Sequence, residues 1–163
     1  MAIEAIQGKS ILVLIRKLGE TSAALQPMLQ TKFENKIKND IDSELTKSGA
    51  INKPGGAELD MSMELILSKG DNTIKILEDS GKKGDKLEIW VPNLQEGSGS
   101  NKFHGTYYQG RVKGLELQAD AKDLAKYKVT WAIDGVGVEG EITVTPEQQE
   151  LAQYEFVDTI AKG

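Results

Sequence analysis

The sequence predicts a mainly β fold, a β-sandwich or barrel with one α-helix packed on its side, and three observations carry that prediction. Apolar and polar residues alternate from Leu59 to Leu67, with Leu59, Met61, Met63, Leu65 and Leu67 on one parity and Asp60, Ser62 and Glu64 on the other, as in a strand with one wet face. Segments rich in β-branched and aromatic residues fill most of the chain from Lys86 onward. Against these, only the stretch beginning at Asp71 carries a clear helical stripe.

Taken in order, Met1 to Lys9 reads as an arm, and Ser10 to Arg16 as a strand buried on both faces, because its apolar run Ile11–Ile15 is continuous. Thr31 to Asn39 is a more exposed strand, with Phe33 and Ile37 on one face. Residues 46–58 hold Gly49, Pro54, Gly55 and Gly56 and no period, which predicts a long loop. After the Leu59–Leu67 strand, Asp71 stands at a helix N-cap position, Ile74, Leu77 and Ile76 supply the stripe, and Gly81 is placed to close the helix in the left-handed conformation. Lys86–Val91 alternates again and is expected to stop at Pro92, with Gly97–Asn101 a flexible loop. Phe103–Gln118 and Lys126–Asp134 read as long strands, with Val138–Thr145 returning across a glycine-rich turn to complete a meander. Thr145, Pro146 and Gln148 spell a capping box with proline at the first helical position, so a short helix should run toward Ala152, leaving residues 154–163 as a tail. Seven or eight strands are expected in one domain spanning residues 1–163.

Composition narrows the function. Of the 163 residues, 39% are hydrophobic and 28% charged, the balance of an ordinary globular chain rather than a disordered one. The net charge is −5, and from Glu116 onward ten acids face four lysines, so the chain carries no basic patch with which to grip phosphates. There is no cysteine, which excludes disulfides, thiolate catalysis and zinc-thiolate centres. The run Ile11–Ile15 is far shorter than the ~20 residues of a membrane span, and no cleavage site follows it; no membrane partner and a cytoplasmic place of synthesis are expected.

The chemical motifs dissolve one by one. Gly135-Val-Gly137-Val-Glu-Gly140 fits the spacing of a dinucleotide loop, but a strand follows where a helix N-terminus is needed, and Asp134-Gly135 is a turn signal. Gly8-Lys9-Ser10 lacks the first glycine of a phosphate-binding loop, since Ile3 stands there. Asp40, Asp42 and Glu44 have Leu45 where a calcium loop turns on glycine. His104 is the sole histidine, so no His-dependent triad or multi-histidine metal site can be assembled. Glu139 and Glu141 share a strand face, where both would stay ionised as surface charges. No catalytic residue, metal site or cofactor is expected. Trp90, Trp131, Tyr107, Tyr108 and Tyr127 fit a core or an interface, and equally the platform of a small-ligand or carbohydrate-binding β-module, which is the alternative function.

The order of elements, together with Gly8–Arg16, Gly84–Val91 and above all Tyr108-Gln-Gly-Arg-Val-Lys-Gly-Leu-Glu-Leu117 leading through Ala121–Ala125 into Tyr127–Trp131 and Asp134-Gly135, resembles the major tail protein, or tail tube protein, of long-tailed non-contractile bacteriophages of Gram-positive hosts. The resemblance spans nearly the whole chain. It implies the fold of phage tail tubes and injection-system inner tubes, and a structural subunit of the virion whose partner is itself, in hexameric rings that stack into a hollow conduit for double-stranded DNA. By the same analogy a tape-measure protein and tail-end proteins are further partners, and the DNA passes without specific binding. It also implies ring contacts through the arm at residues 1–9, the loop at residues 46–58 and the tail, with Ile3, Ile6, Ile51, Pro54 and Phe156 as their apolar candidates.

A bore must let DNA slide. Duplex DNA carries about one negative charge per 1.7 Å, so a lysine-lined bore would hold it while an acidic one would not. Asp60, Glu64, Glu116, Glu139 and Glu141, on the polar faces of strands, are therefore the expected lumen-facing acids.

Overall fold

The computed structural model of the chain describes residues 3–27, 29–47 and 49–152. Six strands form one antiparallel sheet: β1 (Leu14–Lys17), β2 (Gln30–Thr46), β3 (Gly49–Ile66), β4 (Leu87–Gly99), β5 (Lys102–Gln118) and β6 (Lys126–Thr143), in the order β1-β4-β5-β6-β3-β2. Helix α1 (Thr73–Lys83) follows β3, and α2 (Pro146–Ala152) follows β6. Three strands in succession, β4, β5 and β6, lie side by side as a meander, but it is not the one expected, since residues 126–134 and 138–143 are a single strand.

The sheet curls until its two edges meet at one point. Gln30, the first residue of β2, accepts a hydrogen bond from Val13 N–H at 3.0 Å and donates its amide to Val13 C=O at 2.8 Å. One side chain thus stands in for a backbone ladder between edge strands, which otherwise leave polar groups unpaired. Alternation then sorts the side chains: Val13, Ile15, Met61, Met63, Leu65, Leu87, Ile89, Tyr108, Val112, Val129 and Trp131 form one buried cluster, which Leu77 of α1 completes. A smaller cluster of Leu12, Leu14, Leu94, Ile142 and Val144 lies on the reverse face of β1 and β4. The run Leu12–Ile15 is buried on both faces, as its unbroken apolar sequence requires.

Helix α1 starts where Asp71 Oδ1 accepts the Thr73 N–H and hydroxyl. It ends three residues beyond the expected Gly81, at Gly84, whose φ of 78° provides the left-handed cap and whose N–H reaches Ser80 C=O at 2.9 Å. Gly81 instead lets the helix approach Val112. Ser80 pins helix to sheet, accepting the Val112 N–H at 3.0 Å and donating to Asp85 C=O at 2.7 Å. The capping box before α2 closes as expected, with Thr145 N–H on Gln148 Oε1 at 3.0 Å and Gln148 N–H on Thr145 Oγ1 at 3.3 Å.

Three expectations are corrected. Residues 46–58 form no long loop: they are the tip and returning strand of the β2-β3 hairpin, where Pro54 pairs with Ile41 beside a register shift that absorbs it. The strand at Lys86–Val91 runs through Pro92 to Gly99, again with a register shift after the proline. No hairpin forms at Asp134-Gly135. β6 continues straight through, and β5 pairs with it from Lys102 to Gln118, so that residues 135–137 bulge opposite Tyr108 alone, with Gly135 and Gly137 at φ of 71° and 83°. Merging residues 126–134 with 138–143 leaves six strands among the described residues, where seven or eight were expected.

Candidate functional site

Among the described residues no group of three metal-ligating side chains exists. His104 is half-buried and Glu139 exposed, 3.9 Å apart. The glycine-rich stretch lies inside β6, so its third glycine opens no helix. What the fold builds is surface for contact, in three places.

The first is a ribbon. β3 pairs with β6 only over Asp60–Ile66, whereas its pairing with β2 runs on to Thr46 and Gly49, so the hairpin beyond Asp60 leaves the body as two strands. Ile37, Ile41 and Leu45 continue the parity of Phe33 and face no cover, 72%, 60% and 86% exposed. A lone two-stranded ribbon is marginal in water, and three uncovered aliphatic side chains mark a contact surface. Ile51 pairs with Glu44 and Pro54 with Ile41 in this ribbon. The sequence showed only Phe33 and Ile37 as a face; the spacing to Ile41 and Leu45 was the signal for the rest.

The second is the sheet face turned away from the main core. The register sets Lys32, Glu64, Lys128 and Glu116 side by side across β2, β3, β6 and β5, and Lys36, Asp60, Ala132 and Arg111 in a parallel row. Asp60, Glu64 and Glu116 are thus brought together, each beside at least one cation in its row. Lys32 also pairs along its own strand with Glu34 at 3.0 Å. Its hydrogen bond to Glu34 raises the ammonium pKa and lowers that of the carboxyl. Glu139 and Glu141 pair with Thr106 and His104 on the other face of β5 and β6, that of Tyr108. The lysines of this mosaic were visible in the sequence, but only strand neighbours identify them as partners of the acids.

The third is the N-terminal arm. Ile3 and Ile6 are exposed, and the arm is held to its own subunit through Gln95, which accepts the Gln7 N–H and donates to Ala5 C=O. Phe156 and the tail lie outside the described residues.

The aromatic residues divide between core and network. Trp131 and Tyr108 are buried in the main cluster. Trp90 packs on Tyr107 with ring centroids 5.3 Å apart, and the Arg16 guanidinium lies over the Trp90 ring at 5.1 Å. That ring face is covered, which a sugar-stacking platform would need open. Arg16 Nε donates to Glu88 at 2.7 Å, the Tyr107 hydroxyl donates to the other Glu88 oxygen at 2.7 Å, and Gln109 donates to Tyr107 at 2.9 Å. Burial pushes the Glu88 carboxyl up, but the bonds from Arg16 and Tyr107 outweigh it and hold it below the usual carboxylate range. Burial, with the Glu88 bond, raises the Tyr107 phenol.

A β-sheet with a protruding ribbon that exposes Ile37, Ile41 and Leu45, and an arm that exposes Ile3 and Ile6, offers surfaces suited to contact with other chains. Comparison with known proteins names the class. Residues 5–139 match the phage tail tube protein family, and the chain belongs to that family. A protein assigned to the tail of Staphylococcus phage phiMR25 is 26% identical over 154 residues, covering 91% of this chain and 80% of the relative. The SPP1 tail tube subunit superposes with a TM-score of 0.76 at 15% identity, covering 97% of this chain and 96% of that one. A chain of the native gene transfer agent particle does so at 0.64 and 12% identity, covering 83% and 99%. A chain of an extracellular contractile injection system sheath/tube terminator gives 0.61 at 12%, covering 86% and 99%. The protein is a structural subunit of a viral tail tube and a component of the virion tail.

Proposed function

We propose that this subunit closes into hexameric rings, that the rings stack into a hollow tube, and that double-stranded DNA is delivered along the bore without chemistry by the wall. The observation that carries the proposal is the β2-β3 ribbon, whose exposed Ile37, Ile41 and Leu45 are satisfied only by a neighbour. Ring contacts then fall to this ribbon, including Ile51 and Pro54, to the arm with Ile3 and Ile6, and to the tail with Phe156. The bore is lined by the face bearing Asp60, Glu64 and Glu116. There Asp60, Glu64 and Glu116 are interleaved with Lys32, Lys36, Lys128 and Arg111, a mixed lining in place of the acidic one expected, in which each cation has an acid or Ala132 beside it and no continuous basic stripe is left to condense on phosphates, so DNA meets weak contacts that slide. Glu139 and Glu141, on the reverse face, are left out of the lining. A tape-measure protein in the bore and tail-end proteins are the further partners, and the chain is made in the host bacterial cytoplasm before assembly.

Negative-stain microscopy of the purified chain over a hundredfold range of concentration tests this. Rods with sixfold end views are expected. Single particles at every concentration would overturn it.

A further inference from the structure

Below the Gln30 clasp the two edges of the sheet part. Leu12 donates to Pro92 C=O and Ile11 bridges to Asn93, so residues 8–12 give one side to β4 and turn the other toward the outer edge of β2. Between them lies a groove of about 580 Å³, walled by Gly8, Ile11 and Leu12 on one side and by Leu29, Thr31 and Phe33 on the other. Gln26, only 8% exposed, lines the groove and carries an Oε1 with no hydrogen-bond partner among the described residues. A buried acceptor left unmade costs free energy that a donor from outside can recover. Lys9 and Lys32 stand at the groove's rim.

We propose that this slot receives the N-terminal arm of a second copy of the chain, residues Ile3 to Ile6, as an added strand on the outer edge of β2. The occupant follows from what each side lacks. The slot offers an open strand edge, apolar walls, two cations and an orphan acceptor. The arm has no regular structure of its own, brings Ile3, Ala5 and Ile6 with backbone N–H donors, and its one charge, Glu4, is opposite in sign to Lys9 and to Lys32, which now pairs with Glu34. Ile3 is fully exposed in its own subunit, and Ala5 and Gln7 bond to Gln95 of β4, while of the arm only Gly8 and Lys9 line its own slot. Each copy thus presents a strand it cannot use and an edge it cannot fill, a heterologous contact that propagates from copy to copy.

The proposal rests on the self-assembly proposed above, and its test separates the two. Because the native chain has no cysteine, Ile6→Cys and Thr31→Cys can be introduced on separate chains, mixed, assembled and oxidised, with Val138→Cys as an exposed control. Peptide mass spectrometry should find the 6–31 disulfide at least tenfold above 6–138, in rods and not in dilute subunits. Rods with equal yields overturn the slot and leave the tube standing, and absence of rods overturns both. A link from Thr31→Cys to Phe156→Cys, with none to Ile6→Cys, overturns the arm as occupant. As a second measure, Gln26→Leu should raise the concentration needed for rods severalfold while the subunit's melting midpoint does not fall; an unchanged threshold overturns the role of the orphan acceptor.

Discussion

Gly137 and Gly135 make a matched pair for testing the bulge in β6. Both have positive φ, 83° and 71°, so alanine at either incurs the left-handed backbone penalty, about 1 kcal/mol. Their surroundings differ. A Cβ on Gly135 meets nothing within 4 Å, whereas one on Gly137 would stand 2.5 Å from Tyr108 Cε1 and 2.8 Å from Thr106 Cγ2. Tyr108 cannot simply move aside, because it is 8% exposed within the main cluster and takes a hydrogen bond from Asn35. Overpacking of that kind adds about 2 kcal/mol, bringing Gly137→Ala to about 3 kcal/mol. In a chain of this size each kcal/mol moves the melting midpoint by about 3 °C, so Gly135→Ala should melt ~3 °C and Gly137→Ala ~9 °C below the parent. Differential scanning calorimetry on unassembled subunits reads both. Equal losses from the two substitutions would mean that residues 134–137 form an open turn, and the placement of Tyr108 over the bulge would be wrong.

Three further outcomes are expected. Glu88→Gln should cost about 1 kcal/mol at neutral pH, because Arg16 loses its ion pair in a half-buried setting. The Glu88 carboxyl is depressed in the fold, so its contribution is complete above the unfolded value near 4.3 and is lost as pH falls through the lower folded value; melting curves of parent and variant should converge there, and a constant gap down to pH 2 would refute the ion pair. Gln30→Ala strips the Val13 N–H and C=O of partners and should cost about 1–3 kcal/mol, with amide exchange at Val13 accelerated ahead of Met63; equal protection at both would refute the clasp. Leu45→Lys on the ribbon should leave the subunit's stability within about 0.5 kcal/mol while abolishing rods, and rods of normal yield would refute the ribbon as a contact.

The sequence by itself determined whatever depends on neighbours a few residues apart. Period-two alternation marked Met61, Met63 and Leu65 as a buried strand face, the unbroken run before Arg16 marked a segment buried on both sides, of which only Leu14 onward is strand, and Thr145 with Gln148 marked a capped helix, because each pattern is satisfied within one element. The motif-bearing segments spelled the tail tube family for the same reason, being local strings. Glycine and proline misled. Gly135, Gly137, Pro54 and Pro92 read as breaks, yet each sits in a continuing strand at or beside a register irregularity, which only the partner strand's pairing can absorb. The tertiary structure also decided which charges meet. Lys32, Glu64, Lys128 and Glu116 come from four separate strands, and the groove beside Gln30 exists only because a curling sheet brings its first and last edges together. Contacts between residues distant in sequence depend on register and curvature, which are set by the sum of packing over the whole sheet and are written in no single segment.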